Sequence, residues 1–129
     1  MVPGFSSTYG GIQISMTNFD KINYDPVTTL LSVGAGALWG PVYQYTSKLA
    51  RCVVGGANPA VGVAGFVLGG GYSLKTNRLG LACDRVQAFR IVTADGKVHE
   101  VSRESTGADL ELYQALRVCD FIRSPPSSY

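Results

Sequence analysis

Seven of the chain's sixteen glycines fall within residues 53–71, "VVGGANPAVGVAGFVLGGG", and most of what separates them is apolar. No other stretch constrains the fold so strongly. Glycine inside a regular element costs about 0.5–1 kcal/mol relative to alanine, because it loses the most freedom on ordering. A segment both glycine-dense and hydrophobic belongs where the backbone is approached closely, by another piece of chain or by a ligand. The enrichment is local rather than periodic, which excludes a collagen-like or low-complexity chain.

The rest of the composition fits one folded domain. The chain has 129 residues, 46% of them hydrophobic and 16% charged. Its net charge is +2, and the basic residues are scattered with no aromatic-basic interleaving. That is a poor footprint for nucleic-acid binding. Residues 52–74 carry no charge and are long enough to span a bilayer, but seven glycines, Asn58 and Pro59 interrupt them. No membrane span is expected. The opening "MVPGFSSTYGG" lacks the basic start and apolar core of a secretory signal. Cys52, Cys83 and Cys119 are odd in number and widely spaced. Small buried or half-buried thiols are expected, with neither a disulfide framework nor a zinc site. His99, the sole histidine, is expected to face solvent from a short strand.

The patterning mixes strands and helices. "GIQISM" alternates, with Ile12, Ile14 and Met16 on one face, and predicts a strand. "INYDPVTTLLSVGAG" predicts two short strands around an Asp25-Pro26 turn. Leu38, Val42, Tyr45 and Leu49 mark one helical face, with Pro41 tolerated near the first turn. "CVV" predicts a short buried strand, and "VAGFVLGG" a brief helix ending in glycine. "VQAFRIVTADGKVHEVS" predicts a hairpin turning at Asp95-Gly96. "GADLELYQALR" predicts a helix over residues 109–117, with Asp109 as N-cap and Leu112, Ala115 and Leu116 on one face. Residues 118–129 lose all periodicity and read as an irregular tail. Without strict βαβ alternation, the class is α+β.

Glycine-dense turns let backbone N–H groups point at an anion with no Cβ in the way. A helix starting near Val63 would add its positive end. Val53, Val54, Val61, Val63 and Phe66 could wall a flat ring. Polar backbone with apolar walls suits a nucleotide cofactor bearing a large heterocycle. Tight packing alone would explain the same glycines, and the residues leave both readings open. The run "GAGALWG" is one residue too long for the dinucleotide fingerprint, and no G-K-[ST] of a P-loop occurs.

The long ordered pattern V-G-G, V-G-V-x-G-F, L-G-G-G-Y-S, G-L-x-x-D-x-V and a hairpin closing in D-G resembles the FAD-binding domain of the vanillyl-alcohol-oxidase type. Within that type it is most similar to the berberine-bridge-enzyme-like FAD-linked oxidases. The likeness covers nearly everything from Pro3 to Arg117, so residues 1–117 are expected to be a partial FAD-binding domain and residues 118–129 a tail outside the family pattern. The resemblance implies FAD as cofactor, wrapped by backbone amides. By motif it places Val53, Gly55, Gly56, Pro59, Ala60, Val61, Gly62 and Val63 along the pyrophosphate and ribityl chain. It places Gly65 and Phe66 by the ribityl chain and ring, and Val92 near the adenine. It implies that Gly69, Gly70 and Gly71 let the next segment pack close behind the flavin.

The departures carry information too. Some members attach FAD through a cysteine just before the proline of this segment; Asn58 stands there, which excludes that link. Others attach it through a histidine upstream of "PGFSST", a motif this sequence does not contain. The family's substrate domain, which supplies the catalytic acid or base, is not represented either. The resemblance thus implies a piece of an oxidoreductase whose parent oxidises alcohols, sugars or amines with oxygen as acceptor. No catalytic residue is expected within these 129 residues, and substrate contact belongs to a full-length parent. The alternative is a non-catalytic folded remnant or interaction module of a truncated gene product. The compartment is not assigned, although members of this family are often secreted.

Overall fold

Asp25 explains the first turn. In the computed structural model, which describes residues 7–117, its carboxylate accepts from the Val27 amide (2.9 Å) and the Thr28 hydroxyl (2.6 Å). This Asx turn reverses the chain between β1 (Ile22–Asp25) and β2 (Leu30–Val33), paired antiparallel with Ile22 opposite Val33. The predicted hairpin is present. Gly34 and Gly36 follow, and a Cβ on either would strike the backbone of Phe19 or Met16. These glycines, which fail as a dinucleotide fingerprint, let residues 16–21 run against them: the Gly36 amide donates to the Phe19 carbonyl (2.8 Å).

Helix α1 (Trp39–Lys48) follows, with Pro41 in its first turn. Its buried face differs from the expected one. Leu38 and Leu49 are flanking cap residues and stay exposed, while Trp39, Val42 and Thr46 are buried. Thr46 is tolerated there because its hydroxyl donates back to the Val42 carbonyl (3.0 Å). Helix α2 (Val63–Leu68) ends at Gly69 as predicted. Two short elements, α3 (Thr76–Leu79) and a 3-10 turn (Ala82–Arg85), lead to the hairpin β3 (Ala88–Val92) and β4 (Val98–Ser102). It turns at Asp95-Gly96, with Gly96 at φ +78°. The closing helix is α4 (Gly107–Leu116).

Two apolar clusters hold these elements. Ala37, Trp39, Val42 and Val63 form the first, with Ile22, Leu31, Val33 and Val53 packed around them. The second joins the hairpin to α4. Tyr113 meets Phe89 ring to ring (5.9 Å) and donates its hydroxyl to the Val86 carbonyl (2.8 Å). Helix α2 and the 3-10 turn connect the two: the Ala82 and Cys83 amides donate to the Gly71 and Gly70 carbonyls (3.0 and 3.1 Å).

Several expectations need correction. Residues 12–16 form no strand. Ile12 and Ile14 are 91% and 78% exposed, and nothing among the described residues pairs with them, so alternation alone does not make a ladder. Cys52, Val53 and Val54 are not a strand either, because the two glycines that follow lie on α1 rather than beside a strand. The N-cap of α4 is Thr106, not Asp109, and the helix turns Tyr113 inward while Ala115 is exposed. His99 is half-buried rather than solvent-facing, its Nδ1 3.2 Å from the Asp109 carboxylate. Cys83 is disulfide-bonded, against the expected free thiol, while Cys52 is free and exposed. An odd cysteine count disfavours a fully paired framework but does not preclude one bond. The irregular tail expected over residues 118–129 lies outside the described residues.

Candidate cofactor site

The start of α1 organises the glycine-rich loop. The Trp39 and Gly40 amides donate to the Val61 and Pro59 carbonyls (3.1 and 2.9 Å). Gly40 is small because Pro59 lies against it: a Cβ there would stand 3.2 Å from that of the proline. In return the Val63 amide donates to the Ala37 carbonyl (2.9 Å). Because that amide is already used, the first amide of α2 is not free to face a ligand. Asn58 sets the bend, its side-chain oxygen accepting from the Ala60 amide (2.9 Å) and its carbonyl from the Val61 amide (3.2 Å). Asn58 thus shapes the turn.

The glycines of this region fall into two groups. Gly55 and Gly56 are buried over an aromatic floor. A Cβ on Gly55 would collide with the Trp39 indole and stand 2.6 Å from the Tyr43 hydroxyl; one on Gly56 would lie 3.1 Å from Trp39 and 3.3 Å from Phe66. Trp39 stacks on Tyr43 (5.7 Å, 23°) and meets Phe66 edge-on (5.2 Å, 79°). The Tyr43 hydroxyl donates to the Gly56 carbonyl (2.6 Å), and burial pushes its phenol up from the usual 10.0. Trp39 is 4% exposed, and its Nε1 has no partner among the described residues.

Gly62 and Gly65 are of the other kind. A Cβ on either would meet nothing within 4 Å. The other glycines with open space, Gly10, Gly96 and Gly107, all have positive φ; these two do not. Gly62 sits at φ −69°, where any residue is comfortable, and Gly65 lies inside α2, where alanine would be more stable. Neither conformation nor internal packing accounts for them. They leave bare backbone beside open space, which a flat or chain-like ligand needs, so the residues present fit a bound FAD.

The structure brings residues 55–66 together around the start of α1, but not all in the roles expected. Val63 is buried in the core and Phe66 lies under Gly56 and Gly71, so neither is an outward wall. Val53 packs on the same cluster. Pro59 and Ala60 are exposed, and so is Val61, at 38%. Val92, at the end of β3 in the hairpin, is 69% exposed. A hollow of about 450 Å³ is lined by Ser7, Thr8 and residues 12–16 and takes nothing from the glycine loops. Sequence reasoning missed Trp39 and Tyr43. The available signal was the sole tryptophan with a tyrosine four residues on, one helical turn, just ahead of a Gly-Gly pair.

A family model for an FAD binding domain matches residues 1–102. An FAD-dependent monooxygenase of Fusarium proliferatum is 43% identical over 116 residues, 90% of this chain and 22% of its own length. One of Cochliobolus heterostrophus is 40% identical over the same shares. Among solved structures, 6-hydroxy-D-nicotine oxidase of Arthrobacter nicotinovorans superposes with a TM-score of 0.81 at 30% identity, over 88% of this chain and 24% of that one. Xylooligosaccharide oxidase of Myceliophthora thermophila gives 0.73 at 28%, over 79% and 21%. The chain therefore spans about a fifth to a quarter of these relatives. Matched by the FAD binding domain model over residues 1–102, the chain belongs to the FAD-binding domain family of the vanillyl-alcohol-oxidase type, and its cofactor is FAD.

Proposed function

We propose that residues 55–66 hold FAD and that the chain is the FAD-binding portion of an oxidoreductase whose parent oxidises alcohols, sugars or amines with oxygen as acceptor. One observation carries the reading: Gly62 and Gly65 have ordinary backbone and open space, so their lack of a side chain serves something outside the chain. When bound, FAD supplies a two-electron acceptor. The chain's own residues bind and orient it: loop amides meet its phosphates, Gly62 and Gly65 let it lie against the backbone, and Val61 covers it. Val53, Pro59, Ala60, Val63 and Phe66 hold that loop in shape, and Val92 is assigned to the adenine end. The domain runs over residues 1–117. The even scatter of charge speaks against a nucleic-acid partner. Among the described residues no helix is long and apolar enough to cross a membrane.

The sole tryptophan lies under this site, which makes the test direct. Titration with FAD should quench Trp39 emission saturably at one FAD per chain, by energy transfer to the flavin. A linear, unsaturable loss equal to that of the urea-unfolded chain overturns the reading.

A further inference from the structure

The Tyr43 hydroxyl holds the carbonyl of a residue in the proposed cofactor loop (2.6 Å to Gly56 O). A trans peptide is planar, with its C=O and the following N–H pointing in opposite directions. Tying the Gly56 carbonyl down onto α1 therefore turns the Ala57 N–H away from the aromatic floor. Ala57 is exposed, and its amide donates to no backbone carbonyl among the described residues. Neither neighbour can undo the arrangement cheaply. Gly55 and Gly56 are pressed on the Trp39 indole, so the peptide cannot sink, and Asn58 fixes the chain on the far side through the Ala60 amide. A free peptide unit after two glycines would flip readily; this one is held by a single hydroxyl.

We propose that Tyr43 is a positioning residue and that the Ala57 amide it orients is a hydrogen-bond donor to the phosphate oxygens of FAD. The inference rests on the reading that this loop holds FAD. It adds two residues the motif pattern does not name, one acting through the other. Tyr43 does not touch the cofactor. It sets the direction of the donor that does, and the stacked Trp39 ring keeps the phenol in place.

The test uses the whole 129-residue chain with FAD as the probe. Three quantities are measured: FAD affinity by Trp39 emission, the melting temperature of the unliganded protein, and the Ala57 amide resonance in the 15N-labelled chain. In the wild type, saturating FAD should move the Ala57 amide proton downfield. Tyr43→Phe keeps the stacked ring and removes only the hydroxyl. It should weaken FAD binding about three- to tenfold, the scale of one neutral hydrogen bond, and shrink the Ala57 shift. Val42→Ala, in the same helix but facing the core, should lower the melting temperature and leave FAD affinity unchanged. If FAD binds and the Ala57 proton does not move, or Tyr43→Phe binds like the wild type, the proposal falls and the FAD reading stands. If the wild type does not bind FAD, both fall.

Discussion

Gly71 lies so close to Ala82 that a Cβ on the glycine would stand 2.5 Å from the alanine's methyl and 2.7 Å from the Phe66 ring. Its backbone is also left-handed, at φ +75°. Both facts serve one junction. The Gly71 carbonyl accepts from the Ala82 amide, which seats the 3-10 turn against α2 and links the two apolar clusters. Gly71→Ala therefore meets conformational strain and overpacking together, about 2–4 kcal/mol of lost stability. Chemical denaturation measures it. A loss below about 0.5 kcal/mol would mean that the junction shifts freely, contrary to this packing.

The glycine triplet shows what was legible in the sequence and what was not. A run of three glycines in an apolar stretch signals close approach, and the structure confirms one. Which neighbour approaches is a tertiary fact, invisible until Ala82 is placed. The hairpins were readable because their turns are local: Asp25 and Asp95 bond their own next few residues. The strand expected over residues 12–16 failed for the opposite reason, since a ladder needs a partner and period two does not supply it. Leucines at positions 38 and 49 fit the helical spacing of α1 but sit at its ends, so the spacing points to the wrong face. The role of Trp39 and Tyr43 is not legible in the sequence, because it depends on Gly55 and Gly56 lying above them, a contact no periodicity encodes.

Gly62→Val separates ligand space from folding. The valine fits the extended backbone and strikes nothing in this chain. The melting temperature should stay within a few degrees of the wild type. FAD binding should be lost, because the branched side chain fills the space the cofactor needs. Unchanged flavin affinity in a titration would remove Gly62 from the site.

The cysteines make a chemical prediction. Cys52 is free and exposed, whereas Cys83 is buried and disulfide-bonded. Alkylation of the native protein without reductant should modify Cys52 and spare Cys83, as read by peptide mass spectrometry. Modification of Cys83 before reduction would contradict the bond.

Asp95 gives the pH dependence of the hairpin. Its carboxyl is held down to about 2 from the ordinary 3.8, chiefly by the Thr93 hydroxyl and then by Lys97. A folded-state value below the unfolded one means stability that is present above 3.8 and lost as pH falls through about 2. The carboxyl carbon resonance of Asp95 should therefore titrate near 2 in the folded chain, and a midpoint at 3.8 would show that the turn bonds do not persist in solution.

The last prediction concerns turnover. Oxidation of an alcohol needs a base within about 2.6–3.2 Å of the hydroxyl proton, or one water away. Between Asp25 and Asp84 the chain contains no Asp, Glu or His, and that span includes every residue of the proposed cofactor loop. The two carboxylates that bracket it are already engaged: Asp25 closes its own turn, and Asp84 accepts from the Leu81 amide and pairs with Arg117. Further along, Asp95 pairs with Lys97, Glu100 with Arg90, and His99 with Asp109, all on the hairpin or α4. Tyr43, a titratable side chain in contact with the loop, has its phenol pushed up by burial and donates its O–H to the Gly56 carbonyl, so it does not serve as a base near neutral pH. The 129-residue chain with saturating FAD should thus release no substrate-dependent hydrogen peroxide from a panel of sugars, alcohols and amines. Trp39 quenching in the same sample establishes that FAD is bound, so a silent assay reports chemistry rather than an empty site. Peroxide that requires both protein and substrate would overturn the prediction. It would direct attention to Tyr43→Phe, because the phenol would then be the first group to account for the proton.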